Sequence, residues 1–309
     1  MYLGVEIGGT KLQLGLGEGD GVIRGLWRGA VDPAAGGEGI RRQIVGALPD
    51  LLAEAGVERS ALKGVGVGFG GPTDDATQTV IKSHQIAGWD GFPLGAWLAD
   101  ALGVPTVICN DADVGGVAEA LFGAGKGLSP VFYMTIGSGI GGGLIIDGEI
   151  YRGVGRGAGE VGHLSIRGED ILEAFASGWG IQNRANRLAA ADPRYAALKA
   201  RVGGDLTTRD LAAAARAGDP AAAELIGVAV EALAEAVDGV IRLLCPRRIV
   251  MGGGVTLMGE DLFFAPLRAA VADRVFPPFA GLTDIVPAAL GEEVVVHGAL
   301  ALARRKLGR

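Results

Sequence analysis

Two stretches of this chain carry one pattern: an apolar strand, a glycine-rich loop, a second strand, a tight turn and a third strand. The first is Tyr2-Leu-Gly-Val-Glu-Ile-Gly-Gly-Thr-Lys-Leu-Gln-Leu-Gly-Leu16, followed by Gly19-Asp20-Gly21 and Val22-Ile23. The second is Val131-Phe-Tyr-Met-Thr-Ile-Gly-Ser-Gly-Ile-Gly-Gly-Gly-Leu-Ile-Ile146, followed by Asp147-Gly148 and Glu149-Ile-Tyr151. Short apolar runs punctuated by Gly and Asp-Gly are hairpin signals. Between them Thr106–Cys109 reads as another strand, and it delivers Asn110 and Asp111 at its C-terminal end. Ligands collect at that end of strands in open α/β sheets. Two glycine-tipped hairpins can hold a polyphosphate from two sides, and a carboxylate near them can act on an acceptor. The pattern predicts phosphoryl transfer.

The glycine loops fit other phosphate motifs poorly. Gly137-Ser-Gly-Ile-Gly-Gly142 formally matches the dinucleotide fingerprint, which requires a helix immediately afterwards. Here Leu144-Ile-Ile146 and Asp147-Gly148 follow, a strand and a turn. Gly8-Gly-Thr-Lys11 lacks the Gly-Lys-Ser/Thr of a Walker loop. What survives is a pair of hairpin loops whose missing Cβ atoms let main-chain N–H groups approach phosphate, with Thr10 and Ser138 adding hydroxyl donors. Gly252-Gly-Gly254, after the short strand Arg248–Met251, fits either a close approach to a nucleotide base or ribose or a plain strand-to-helix turn.

At 309 residues, 49% hydrophobic and 20% charged, the chain is long for one core and has ample apolar content for two. A net charge of -7 argues against a general nucleic-acid binder. Cys109 and Cys245 sit in apolar runs and read as buried free thiols. No apolar stretch reaches membrane-spanning length, and the chain opens on a strand without a basic, apolar leader, so a cytoplasmic protein is expected. Helices are expected at Glu38–Ala55, bent or interrupted by Pro49, and at Phe92–Leu102, Val114–Phe122 and Val295–Leu307; the last is expected to pack on the first domain. Asp113 fits the cap of the Val114 helix by position, which leaves Asp111 free.

Together Glu6-Ile-Gly-Gly-Thr-Lys11, Asn110-Asp-Ala-Asp113, Gly137-Ser-Gly-Ile-Gly-Gly-Gly143 and Gly159-Glu-Val-Gly-His163 resemble the ROK family of bacterial sugar kinases and regulators; Gly70-Gly-Pro72 and Gly88-Trp89 also fit. The resemblance spans nearly the whole chain. It implies an actin-like (ribonuclease H-like, duplicated) two-domain α/β fold with an ATP cleft between domains, each opening on one hairpin unit. The expected division is a small domain, 1–113, completed by the helix 295–309, and a large domain, 114–294.

The resemblance further implies Asp111 as catalytic base toward a sugar hydroxyl, and Gly71, Asn110, Glu160, His163 and Glu173 around the sugar. Gly8, Gly9, Thr10, Lys11, Gly137 and Ser138 would meet the ATP phosphates, with Gly253 and Gly254 near the adenosine. Glu6 stands where many members have an Asp near Mg²⁺ and would reach the metal through water. The family's cysteine-rich zinc loop is missing: only Leu164–Leu172 separate His163 from Glu173, and one His cannot make a four-ligand zinc site, so no zinc is expected. Ser83-His84-Gln85 occupies a region where glucose-using members often place an Asn; His84 could face the sugar, and His297 has no assigned role. Trp89 reads as core rather than as a stacking platform. The expected activity is ATP-dependent phosphorylation of a hexose, glucose or a related aldose. N-acylhexosamine or fructose phosphorylation, and sugar sensing without catalysis, are the alternatives. The broad apolar face of Ala221–Leu244 suggests a homodimer.

Overall fold

The first apolar run forms β1 (Tyr2–Ile7), buried at every residue, and β2 (Lys11–Gly17) and β3 (Ile23–Ala30) follow it antiparallel. A strand with no exposed face belongs in the middle of a sheet. β1 has β2 on one side and, in parallel, β4 (Gly64–Phe69) on the other. The computed structural model describes residues 1–83, 85–155 and 157–308. Before β4, α1 (Gly36–Glu54) runs on through Pro49 and packs its apolar stripe, Ile40, Ile44, Leu48 and Leu51, into the core beside β1. The two-residue strands β5 (Thr73–Asp74) and β6 (Thr79–Val80) pair with each other. The helix α2 (Leu94–Leu102) stops at Gly103, which takes the left-handed conformation at φ +71°. β7 (Thr106–Asn110) completes the sheet in the order β3-β2-β1-β4-β7, and α3 (Asp111–Leu121) starts without any intervening loop.

The second hairpin unit repeats this plan with β8 (Val131–Ile136), β9 (Ile140–Ile146) and β10 (Glu149–Ile150). The small ribbon β11 (Ser165–Ile166) and β12 (Asp170–Ile171) follows. Five helices come next: α4 (Leu172–Ala176), α5 (Gly178–Leu188), α6 (Pro193–Val202), α7 (Thr208–Arg216) and α8 (Pro220–Leu244). The chain then forms β13 (Arg248–Gly252), α9 (Ala265–Ala272), β14 (Asp284–Pro287) and α10 (Val294–Leu307). As β1, β4 and β7 do, so β8, β13 and β14 run side by side in parallel. The repeat legible in the two hairpins is therefore a repeat of whole sheets.

Contacts gather the chain into two units. One holds Met1–Ser129, Gly143–Ala158 and Ala289–Arg309; the other holds Pro130–Gly142 and Gly159–Ala288. In the first, α10 lies on β1 and β4 at van der Waals distance, because small residues line the contact: a Cβ on Gly66 would collide with the carbonyl oxygen of Ala299. Trp89 is fully buried, edge-on to Phe69 and Phe92 at centroid separations of 5.4 and 5.5 Å. In the second unit, α8 packs against α4, α7 and α9, which occupies most of its apolar face; Leu243 and Leu244 at its end stay exposed. Cys109 is a buried free thiol as expected, but Cys245 is only half-buried, because it is the left-handed cap residue of α8 rather than part of a strand or helix. Among the described residues no helix is long and apolar enough to cross a membrane.

Candidate active site

In the first unit three parallel strands end level with one another. Ile7 of β1 is in register with Phe69 of β4, and Phe69 with Asn110 of β7. Their continuations, Gly8–Thr10, Gly70–Gly71 and Asn110–Asp111, therefore leave the sheet at one edge. The spacing is tight enough that a Cβ on Gly70 would meet the carbonyl oxygen of Ile7 at 3.3 Å and Oδ2 of Asp111 at 3.5 Å. Gly70 is thus a close approach chiefly to the Ile7 carbonyl, with the Asp111 carboxylate in ordinary contact distance beside the first glycine loop.

Asn110, not Asp113, caps α3. Its backbone is extended, and Oδ1 accepts the N–H groups of Ala112 at 2.9 Å and Asp113 at 3.4 Å. The helix consequently begins three residues earlier than the apolar pattern indicates, with Asp111 as its first residue. The amide of Asn110 also donates through Nδ2 to the carbonyl of Gly71 at 3.1 Å. Both ends of Asn110 thereby hold the α3 start and the Gly70–Gly71 turn together. Asp113 is buried and ion-paired with Arg152.

In β1 Glu6 is buried, with Oε1 at 3.1 Å from Nζ of Lys11 and Oε2 without a hydrogen-bond partner. Burial pushes its carboxyl up to about 7, Lys11 opposes the rise, and the charge of Asp111 adds to it. Lys11 also donates to the carbonyl of Glu292 at 3.1 Å. Gly8 N–H closes the hairpin turn on Lys11 O at 3.0 Å, and Thr10 stands exposed at its tip.

In the second unit the predicted residues converge on one short segment, Ile136–Gly142. Ile140 N–H donates to Oε2 of Glu173 at 2.8 Å. Gly178 and Trp179, opening α5, donate their N–H groups to the carbonyls of Gly137 at 2.8 Å and Ser138 at 3.3 Å. Gly162 packs so closely on Ile140 that a Cβ there would strike its carbonyl oxygen, which lays the Glu160–His163 turn along the start of β9. Gly253, at φ +91°, sits against the end of β8, where a Cβ would lie 2.5 Å from Ile136 O; Gly254 faces open space and starts a 3-10 turn. Around Gly137 there is also open space, as a cradle for an oxyanion requires. Glu160 and His163 are exposed, with Oε2 and Nδ1 4.0 Å apart.

The main-chain donors of the two glycine loops are partly engaged: Gly8 N–H is taken by Lys11 O at 3.0 Å and Gly137 N–H by Gly139 O at 2.9 Å. The Gln85 side chain packs against Gly9, so a phosphate would have to displace Gln85 or use the remaining N–H groups. The orphaned Glu6 oxygen suits a cation held through water and substrate phosphates rather than by a protein cage, the habit of Mg²⁺. Among the described residues no three His, Cys, Asp or Glu gather closely enough to hold a metal ion. His84 lies outside the described residues. Sequence reasoning missed Arg152, Asp75 and the α5 start. The first two are joined by no motif, and Ser177-Gly178 carries only an ordinary cap signal, realised when Ser177 Oγ accepts Gly180 N–H at 2.9 Å.

Residues 2–306 match the model of the ROK family. A glucokinase of Halalkalibacterium halodurans is 30% identical over 96% of this chain and 93% of its own length. A putative fructokinase of Bacillus subtilis is 27% identical over 99% and 96%. The crystal structure of a ROK family glucokinase from Streptomyces griseus in complex with glucose and AMPPNP is 30% identical, covers 98% of this chain and 99% of that one, and superposes with a TM-score of 0.82.

Proposed function

Given that this chain belongs to the ROK family and has its actin-like two-domain α/β fold, we propose that it is a sugar kinase that moves the γ-phosphoryl group of ATP to a hexose hydroxyl. The observation that carries the reading is the level ending of β1, β4 and β7, which sets the Asp111 carboxylate beside a glycine hairpin loop. Phosphoryl transfer asks the protein for position and charge stabilisation more than for covalent chemistry. Asp111 orients the acceptor hydroxyl and takes its proton. Asn110 fixes Asp111 in place through the α3 cap and the Gly71 carbonyl. Gly8, Gly9, Thr10, Lys11, Gly137 and Ser138 bind phosphate, and Gly253 and Gly254 lie toward the adenosine. Gly71, Glu160, His163 and Glu173 take the sugar hydroxyls; neutral His both donates and accepts, which suits a polyol. Glu6 is the residue that would hold a Mg²⁺ ion, which would supply charge neutralisation at the transferring phosphoryl group.

Glucose or a related aldose is the acceptor best supported, by the glucokinase relatives. The fructokinase-like relative keeps fructose as a second reading. A coupled ADP-release assay across hexoses, N-acylhexosamines and fructose tests both. Wild-type turnover with an aldose, and loss of about 10²–10⁴ in kcat for Asp111→Ala with ATP still bound, is the expected result. Tight sugar binding without turnover by the wild type would replace the kinase reading with a sensor.

A further inference from the structure

Arg152 lies outside every motif that singled out the site, at the end of the second hairpin unit. Its guanidinium makes a bidentate pair with Asp75, Nε to Oδ2 at 2.6 Å and Nη2 to Oδ1 at 2.5 Å. Its remaining nitrogen, Nη1, bonds Oδ2 of Asp113 and sits 3.5 Å from the sulfur of Cys109. One planar fork thus joins the β5–β6 hairpin, the end of β7 and the first turn of α3, all within one unit. The Arg152 side chain is 14% exposed and that of Asp113 3%, so water screens this contact weakly.

We propose that Arg152 is a positioning residue for Asp111. This rests on the kinase reading above. Asp113 is three residues, just under one helical turn, beyond the Asn110 cap, and Asp111 lies between them. The cap holds the turn from its N-terminal side, and Arg152 holds it from the side of Asp113. With both contacts made, the rotation of the turn about the helix axis is fixed, and with it the direction in which the Asp111 carboxylate leaves α3. A displacement of about 1 Å at a reacting group can cost on the order of 10²-fold in rate. Lysine cannot replace this fork, since one ammonium cannot grip two carboxylates in a plane. The fork borders a cavity of about 380 Å³ whose walls include Asp75, Cys109 and Arg152, so water can reach Asp75 when the guanidinium is removed. Asp113 is buried away from it, so Arg152→Met costs stability and Asp75→Asn is the variant expected to stay folded.

The test uses the whole chain with Arg152→Lys, Arg152→Met and Asp75→Asn, which cuts the far end of the fork without touching α3. Steady-state kinetics give kcat and both KM values; hydrogen exchange of the peptide spanning Asn110–Gly116 reports the turn directly. The expected result is a fall in kcat of tenfold or more for both Arg152 variants, KM for sugar and ATP within threefold, and exchange of the Ala112 and Asp113 amides at least tenfold faster. Asp75→Asn should show the same split at smaller size. Wild-type kcat and unchanged exchange in folded Arg152→Lys would overturn the proposal, as would a rise in both KM values at constant kcat. If the wild type phosphorylates no sugar, the kinase reading falls, and the exchange measurement still decides whether Arg152 fixes the turn.

Discussion

The carboxylate of Glu173 accepts the main-chain N–H of Ile140 at 2.8 Å, so a residue the family resemblance assigns to the sugar is also a strut of the second glycine loop. Gly139 leaves no gap beneath it, for a Cβ there would collide with Oε2 of Glu173. The two roles separate by substitution. Glu173→Gln keeps a carbonyl oxygen for Ile140, whereas Glu173→Ala leaves that N–H without its partner. A lost partner for a buried donor costs about 1–3 kcal/mol. Glu173→Ala is therefore expected to raise KM for ATP by roughly tenfold beyond the change in Glu173→Gln. Initial-rate kinetics of the two variants check this; equal KM for ATP in both would show that the loop does not depend on the strut.

Glu6 gives the fold a pH dependence whose sign follows from its burial. Its folded value of about 7 stands above the ordinary 4.5, so the folded protein holds a proton that the unfolded chain has released. Stability from this group is fully present below about pH 4.5 and is lost as pH rises toward 7, after which the loss is constant. The size is about 3 kcal/mol, from about 1.4 kcal/mol for each pH unit of displacement. Urea unfolding of wild type and Glu6→Gln at pH 5 and pH 8 measures it. The glutamine variant is expected to gain stability relative to wild type at pH 8 and little at pH 5. An identical difference at both pH values would mean that Glu6 is charged in the folded state throughout.

The sheets were legible because their signals are local. Leu3, Val5 and Ile7 declare a buried strand within six residues, and Gly8-Gly-Thr10 declares the turn that follows. The start of α3 was not legible in the same way. Asn110, Asp111 and Asp113 are all cap-competent residue types. Only the extended backbone of Asn110, at φ -62° and ψ 145°, decides among them, and tertiary contact with Gly71 helps to hold it there. Arg152 lies 77 residues from Asp75 and 39 from Asp113, so no spacing rule connects them. Their meeting is a property of the assembled sheet edge. The Glu173–Ile140 contact spans 33 residues and hid for the same reason, although the resemblance had already picked out the carboxylate.

Gly298 marks where α10 crosses α3. A Cβ at that position would strike the carbonyl oxygen of Val114, and backbone cannot move aside as a side-chain end can. Overpacking of this kind costs about 1–3 kcal/mol. Gly298→Ala is expected to destabilise the protein by at least that range and to lower kcat, because a shifted α3 carries Asp111 with it. Denaturant midpoints together with kcat test the coupling. A variant with lowered midpoint and wild-type kcat would show that α3 accommodates the methyl group far from its first turn.

Glu119 is fully buried, and its two carboxylate oxygens are met by main-chain donors. Oε1 accepts the N–H groups of Ala289 and Leu290, each at 2.9 Å, and Oε2 accepts that of Ala124 at 2.7 Å. The carboxylate thereby ties α3 to the turn that launches α10, the helix that lies on β1 and β4. Both oxygens must be acceptors. In Glu119→Gln one of them becomes an NH₂ group facing an N–H, so at least one buried donor loses its partner and meets another donor. Gly123 closes off escape, since a Cβ there would already collide with the carboxylate. A loss of about 1–3 kcal/mol is expected, with charged hydrogen bonds toward the upper end. Urea unfolding at pH 7 measures it. Stability within about 0.5 kcal/mol of wild type, the range of ordinary surface substitutions, would mean that the three donors find other acceptors and that Glu119 is not the tie between α3 and α10.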